Sequence, residues 1–194
     1  MVPKIIKFIP RNIFLFSGHM VDRPDRKEPR FPPKKEVIVA QKISKALDDF
    51  QAGSEDIALC GGACGGDLLF AEACLKRNIK LEIRIPFDEA TFIKNSISFA
   101  GEKWVERFYQ AVNHDKTSLM IMPEELGPLP EKEDPYARNN LWQLFTALAW
   151  GLEKINFICL WNRKTGDGPG GTEHMYNTVS NYSRNVKIIG TNHL

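Results

Sequence analysis

No long hydrophobic run occurs in the 194-residue sequence. The longest apolar stretch, residues 144–152 (LFTALAWGL), is far shorter than the roughly 20 residues that cross a bilayer, so we expect no transmembrane helix. The first residues, MVPKIIKFIPRNIFLF, are interrupted by prolines and basic residues and lack the unbroken apolar region of a signal peptide. These absences predict a cytoplasmic protein without a membrane partner.

Cysteine is scarce, and neither sign of charge is in large excess. The four cysteines, Cys60, Cys64, Cys74 and Cys159, form no C-x-x-C pair, which favours free thiols over disulfides or zinc. The four histidines have no second ligand at metal spacing, so we predict no metal and no cofactor. With 26 Lys and Arg residues against 24 Asp and Glu, the net charge is only +2, which does not indicate nucleic acid as a partner.

What the sequence does contain is a regular alternation of strand-like and helix-like segments. Short apolar runs predict strands at 13–16, 57–60, 80–86, 118–122, 157–161 and 186–189. Helical periodicity predicts helices at 34–50, 68–75, 89–98, 102–112, 136–152 and 172–182. This order predicts one α/β domain over 1–194, a Rossmann-like three-layer sandwich with a mostly parallel central sheet.

Two glycine-rich segments each join a predicted strand to a predicted helix. The first is 60–67 (CGGACGGD), and the second is 166–172 (GDGPGGT). Ligands of open parallel sheets bind outside the strand carboxyl ends, where glycine admits backbone amides and a helix N-terminus attracts an anion. The binding residues predicted from the two loops are Gly61, Gly62, Gly65, Gly66, Asp67, Gly170, Gly171 and Thr172. The alternative for each loop is a tight turn in which Asp67 or Thr172 is the helix N-cap.

The two loops exclude some familiar nucleotide sites. Neither loop matches G-x-G-x-x-G or G-x-x-x-x-G-K-[ST], and neither contains a lysine to meet a triphosphate, which argues against an ATPase. We expect the loops to lie on neighbouring strand ends and to face one cavity. A ligand that contacts both loops would then be a larger one, such as a dinucleotide or an ADP-ribose derivative.

Further candidates lie at other predicted strand and helix ends. Ser17, Gly18 and His19 end the first strand, and a histidine there can donate to a phosphate or transfer a proton. Arg30 lies in the long basic segment that follows, and its planar guanidinium suits phosphate. Asn139 and Asn140 lie near the start of a long helix, where an amide can read a base or ribose edge. The alternatives are an ordinary loop histidine, a solvated arginine and helix-capping asparagines.

The glycine loops carry a resemblance to a known superfamily. Residues 61–67 (GGACGGD) followed by 68–73 (LLFAEA), together with 168–172 (GPGGT), resemble the two glycine signatures of the SLOG superfamily. This Rossmann-like group includes DprA-type proteins and the lonely-guy phosphoribohydrolases. Segments 16–20 (FSGHM), 30–32 (RFP) and 104–108 (WVERF) are most similar to bacterial members that occur beside tetratricopeptide repeats, nucleotide cyclases or defence effectors.

The resemblance implies either cleavage of an N-glycosidic bond of a nucleotide or binding of a nucleotide-derived ligand. The hydrolase pattern has a Gly-Thr pair and a glutamate one turn after its proline–glycine–glycine element, whereas here Gly171 is followed directly by Thr172 and Glu173. This departure favours binding over catalysis. No catalytic residue is assigned; Glu173 and Asp67 are the carboxylates nearest the loops, and either can instead complement a helix dipole.

Three functions remain open at this stage. The first is binding or sensing of a phosphate-bearing, nucleotide-derived molecule, such as a nucleotide, an ADP-ribose-like signal or a cyclic nucleotide. The second is an N-glycosidic hydrolase or (deoxy)ribosyltransferase. The third is a protein–protein module with purely structural glycine loops. Superfamily relatives often associate, so a homo-oligomer or an effector partner is also open, with the acidic segment 124–134 as one place for an interface.

Overall fold

The computed structural model describes residues 8–123, 132–164, 168–183 and 185–192. The strands are β1 (Ile13–Gly18), β2 (Ile57–Cys60), β3 (Lys80–Ile85), β4 (Thr117–Ile121), β5 (Ile155–Trp161) and β6 (Asn185–Gly190). The helices are α1 (Glu36–Asp49), α2 (Gly66–Leu75), α3 (Glu89–Ser96), α4 (Glu102–Val112), α5 (Pro135–Leu148) and α6 (Thr172–Ser180). Most of the acidic segment 124–134, the start of the second glycine segment at 166–167 and His193 lie outside the described residues.

The strands form one sheet in the order β4-β3-β2-β1-β5-β6, and every pairing is parallel. The chain runs outward from β1 to β4 and then returns to the other side of β1 to form β5. The loops after β1 and β5 therefore lead away from each other, and a crevice forms at the carboxyl ends of these two strands. The predicted Rossmann-like α/β fold with a parallel central sheet is confirmed.

Alternating side chains along the strands fill a core on each face of the sheet. In β1, Phe14 and Phe16 point to a cluster that includes α1, α2 and α4, whereas Ile13 and Leu15 point to a cluster with α5 and α6. The central strands β1, β2 and β5 are buried on both faces and therefore read as continuous apolar runs, which is why the sequence pattern identified them. The two clusters make the fold three layers thick.

The structure corrects the expected relation between the two glycine loops. They follow β2 and β5, and these strands are not neighbours, because β1 lies between them and pairs with both. Two strand spacings, about 10 Å, therefore separate the loops. A single nucleotide is long enough to extend across that distance, so contact with both loops does not require a dinucleotide.

The structure also tests the expectations about membrane helices, cysteines and metal sites within the described residues. No helix in these ranges is both long and apolar enough to cross a bilayer. All four cysteines are buried free thiols, and burial raises the pKa of the Cys64 thiol to about 12. Cys64, although it lies in the first glycine loop, is therefore protonated at neutral pH and a poor nucleophile. No group of three potential metal ligands occurs in the part of the chain that is described.

Candidate functional site

A cavity of about 380 Å³ opens at the carboxyl ends of β1, β2 and β5, a size within the range of small-molecule sites. Its walls are the segment after β1, the C-terminal half of α3, both glycine loops and the N-terminal half of α5. Most of the predicted binding residues line it, namely Ser17, Gly18, His19, Arg30, Gly61, Asp67, Asn139, Asn140, Gly170, Gly171 and Thr172. Gly62, Gly65, Gly66 and Glu173 are not among the residues that form its walls. Ligand binding by any of these residues stays a prediction.

The first glycine loop is shaped by contacts within the protein as well as by the cavity. The Gly66 N–H donates to the His19 carbonyl at 3.0 Å, which fastens the start of α2 to the end of β1. Gly65 has φ +97°, and a Cβ there would lie 2.6 Å from the Val21 nitrogen. A Cβ at Gly62 would lie 2.6 Å from Ile83. Gly62 and Gly65 therefore need glycine for packing, a Cβ at Gly66 would be a tight 3.2 Å from Gly18, and Gly61 and Ala63 face the cavity.

Asp67, in the first turn of α2, brings a buried carboxyl group into the cavity. Its Oδ2 accepts a hydrogen bond from the Ala63 N–H at 3.3 Å, whereas Oδ1 is buried and accepts none of standard geometry. Burial raises the pKa of Asp67 to about 7, and the backbone amides of Ala63, Gly61 and Gly18 offset part of that rise. The group therefore titrates near neutral pH and can either accept or donate a hydrogen bond there.

His19 follows β1 and is held on several sides by the end of the sheet. Its backbone N–H donates to the Leu160 carbonyl at 3.0 Å, and its Nε2 accepts from the Asn162 N–H at 3.2 Å. Burial lowers the pKa of His19 to about 4, and the charge of Arg30 adds to the fall. The ring is neutral at physiological pH with its proton on Nδ1, since Nε2 is an acceptor.

Arg30 supplies a positive charge to the cavity wall. The segment that carries it is folded back by Asp22, whose Oδ2 accepts from the Arg30 N–H at 2.8 Å and the Phe31 N–H at 2.9 Å. Burial lowers the pKa of Arg30 to about 10, with a contribution from Arg26, so the guanidinium stays charged at neutral pH. The sequence alone does not reveal that this segment folds back over the cavity, because the fold depends on the Asp22 side chain, eight residues before Arg30.

One face of α5 contributes three buried amides. Asn139 donates from Nδ2 to the Arg84 carbonyl at 2.7 Å, and Asn140 donates from Nδ2 to the Gly170 carbonyl at 2.8 Å. Asn140 thereby holds the second glycine loop against α5. Gln143, which the sequence analysis missed, lines the same wall, and its buried Oε1 has no hydrogen-bond partner. Its position one helical turn after Asn139 is the signal that would have found it.

Three helices begin at this cavity. Asp67 in the first turn of α2, Asp134 and Tyr136 at the start of α5, and Thr172 at the start of α6 all line it. The Asp134 side chain caps α5 by accepting from the Ala137 N–H at 2.8 Å. In α6 the N-cap is Gly171, which offers no side-chain cap. Among the described residues no side chain therefore caps the first amides of α6, an arrangement that attracts an anion.

No protein-family model and no curated protein sequence matches this chain. Among solved structures, DNA processing protein A (DprA) from Streptococcus pneumoniae is similar with a TM-score of 0.39 and 12% identity, over 95% of this chain and 60% of that chain. The Moco carrier protein from Chlamydomonas reinhardtii has a TM-score of 0.35 and 10% identity, over 93% of this chain and 90% of that chain. The chain thus spans less than two thirds of the DprA chain. A link to tetratricopeptide repeats, nucleotide cyclases or defence effectors stays a prediction.

Proposed function

We propose that this chain binds a nucleotide-derived small molecule that carries a phosphate group, and that it acts as a binding or sensor module. The ligand class comprises nucleotides, ADP-ribose-like molecules and cyclic nucleotides. The site is the cavity at the carboxyl ends of β1, β2 and β5. Its position at the point where the chain reverses direction across the sheet is the usual ligand position in open α/β folds.

The observation that carries this proposal is the set of donors to anions that line the cavity. The N-terminus of α6 begins there without a side-chain cap, and the Thr172 hydroxyl and the Arg30 guanidinium line the same space. Backbone amides at a helix N-terminus and an arginine fork are both strong donors to phosphate oxygens. The carboxylates on the wall belong to Asp67 and Asp134, and Asp134 is engaged in capping α5.

A thermal-shift screen would identify the ligand. The panel contains mononucleotides, cyclic dinucleotides, NAD derivatives, ADP-ribose and inorganic phosphate. A ligand present at about 100 times its Kd stabilises the folded state by roughly 2.7 kcal/mol, which is a shift of several degrees for a chain of this size. Absence of any shift across the panel would contradict the proposal and favour a protein–protein module.

Replacing Arg30 by glutamine is expected to weaken binding of the best ligand about tenfold, because a charge-assisted hydrogen bond to phosphate is lost. Lys27→Gln is the matched control, since Lys27 is an exposed cation in the same segment and does not line the cavity. Titration calorimetry on the two variants would measure the difference. Equal losses in both variants would mean that Arg30 acts only through net charge.

A glycosidase is the second candidate, and the buried Asp67 carboxyl is the observation that favours it. A carboxyl group with a pKa of about 7 suits general acid or base catalysis near neutral pH. We nevertheless expect no release of adenine from AMP, because Glu173 lies outside the cavity wall and Asp134 is held as a helix cap. Chromatography of the incubated nucleotide would test this. Adenine release that Asp67→Asn abolishes would instead establish an enzyme.

A further inference from the structure

Within the described ranges, three buried oxygen atoms on the cavity wall lack a hydrogen-bond partner of standard geometry. They are Oδ1 of Asp67, Oδ1 of Asn139 and Oε1 of Gln143, on side chains of residues that are 8%, 3% and 2% exposed. A buried acceptor without a donor costs roughly 1–3 kcal/mol, so three together on one wall indicate a place where a ligand supplies donors.

Hydrogen bonds of the neighbouring atoms define the Asn139 and Asp67 oxygens as acceptors. Asn139 must direct its Nδ2 toward the Arg84 carbonyl, 2.7 Å away, which leaves Oδ1 as the remaining polar atom. Asp67 uses Oδ2 for the Ala63 N–H, and among the described residues Oδ1 has no partner of standard geometry, although the Gly18 and Gly61 amides lie near the carboxyl group. This part of the wall therefore favours ligand atoms that donate hydrogen bonds, and it disfavours a second anionic group on the ligand.

Gly61 keeps space open beside two of these side chains. A Cβ at residue 61 would lie 2.9 Å from Asp67 Oδ2 and 3.8 Å from Gln143 Nε2. The Asp67 carboxyl group and the Gln143 amide therefore lie close to each other at the first glycine loop, so one ligand can reach both side chains.

A neutral group with adjacent donors matches this wall best. A cationic amine is disfavoured, because Arg30 and the uncapped N-terminus of α6 lie on the same cavity. The adjacent 2′- and 3′-hydroxyls of a ribonucleoside 5′-phosphate are two such donors, and a carboxylate commonly accepts from them. An exocyclic base amine is also neutral but is further from the phosphate.

We infer that Asp67, together with Asn139 and Gln143, recognises the adjacent hydroxyl groups of a ribose, so that the site selects ribose-containing ligands over their 2′-deoxy counterparts. This inference rests on the proposed function, because a phosphate bound at Arg30 and the start of α6 is what would hold the attached ribose beside Asp67. Asp67 is the specificity-determining residue, and the two amides supply the second acceptor position.

The test compares two probes by titration calorimetry, the methyl β-riboside 5-phosphate and its 2-deoxy counterpart, with inorganic phosphate as a reference for the anion side alone. At pH 8.5, where Asp67 is ionised, wild-type protein is expected to bind the riboside about tenfold more tightly than the deoxyriboside, which is the effect of one hydrogen bond to a charged acceptor. Asp67→Asn should reduce that preference to less than about twofold. Glu102→Gln is the matched control, an exposed acid-to-amide change in the first turn of α4, and should retain it.

The possible results separate the two ideas. Equal affinities of wild-type protein for the two sugars, with binding that still depends on Arg30, would overturn ribose recognition and leave phosphate binding intact. No binding of either sugar or of inorganic phosphate would overturn both. Discrimination of AMP from IMP with no preference for the 2′-hydroxyl would assign the acceptors to a base amine and also overturn the inference. The wild-type comparison needs no variant, so a failure of Asp67→Asn to fold leaves the test decisive.

Discussion

Replacing Gly65 by alanine is expected to lower the free energy of unfolding by at least about 3 kcal/mol. Gly65 has φ +97° and ψ −124°, a combination that an L side chain rarely adopts. A Cβ there would also lie 2.6 Å from the Val21 nitrogen and 2.9 Å from the His19 oxygen. Both are backbone atoms that cannot rotate away, so the first glycine loop would have to move off the end of β1. Urea denaturation would measure the loss.

Gly101→Ala is the matched control for this change. Gly101 has a similar φ of +104°, and a Cβ there would meet nothing within 4 Å. Its variant therefore reports the cost of the backbone conformation alone, roughly 1–2 kcal/mol. If Gly65→Ala is no more destabilising than Gly101→Ala, the close approach between the loop and β1 does not constrain the fold.

Asp67→Asn is expected to stabilise the ligand-free protein above pH 7, by up to roughly 4 kcal/mol. The pKa of Asp67 is about 7 in the folded state against an ordinary value of 3.8, because burial disfavours the carboxylate. Between these two values the folded state holds a proton that the unfolded state has released, so stability falls as the pH rises. The asparagine variant does not ionise and therefore does not lose stability in this way. Its advantage over wild type should therefore grow from about pH 4 to pH 7 and then stay constant.

His19 opposes this trend over nearly the same range. The pKa of His19 is about 4 in the folded state against an ordinary value of 6.5. Between these pH values the unfolded state binds a proton that the folded state does not bind. The free energy of unfolding therefore falls as the pH drops through this range. In wild type the two contributions partly cancel. Denaturation of wild type, Asp67→Asn and His19→Gln at pH 4–8 should show opposite deviations for the two variants. A constant difference between Asp67→Asn and wild type would mean that Asp67 ionises at an ordinary pKa.

The element order follows from the sequence because strands and helices of a parallel sandwich have distinct apolar patterns, but their ends do not. The apolar run of β1 stops at Phe16, yet the strand continues to Gly18 because Ser17 and Gly18 still pair with Cys159 and Leu160. These ends depend on partners far away in the chain.

The start of β5 was missed for a related reason. Asn156 interrupts the apolar pattern, but its side-chain nitrogen donates to the Asn12 side chain at 3.3 Å and to the Lys154 carbonyl at 3.2 Å, so it is accommodated while buried. The α5 helix ends at Leu148, earlier than its pattern predicts, because the chain turns at Gly151 with φ +114° before β5 begins.

At the candidate site, the sequence located the loops but not the task of each residue. A glycine that leaves room for a ligand and a glycine that leaves room for another segment of the protein look the same in the sequence, because a Cβ would clash at both positions. Gly61 faces the cavity, whereas Gly65 faces the segment after β1, and only the three-dimensional arrangement separates them. The partners of His19 were invisible for the same reason, since Asn162 lies 143 residues away.

The bonds around His19 have a consequence for redesign of the cavity. Through its backbone and its ring, this residue joins the end of β1 to Gly66 of one loop and to Asn162 of another. A library that aims at a new ligand specificity should therefore keep His19 fixed, together with Asn140, because these residues hold the walls in place. Asn139 should also stay, because it donates to the buried Arg84 carbonyl, and diversity belongs at Gln143, whose side-chain oxygen borders the space that a new ligand would fill.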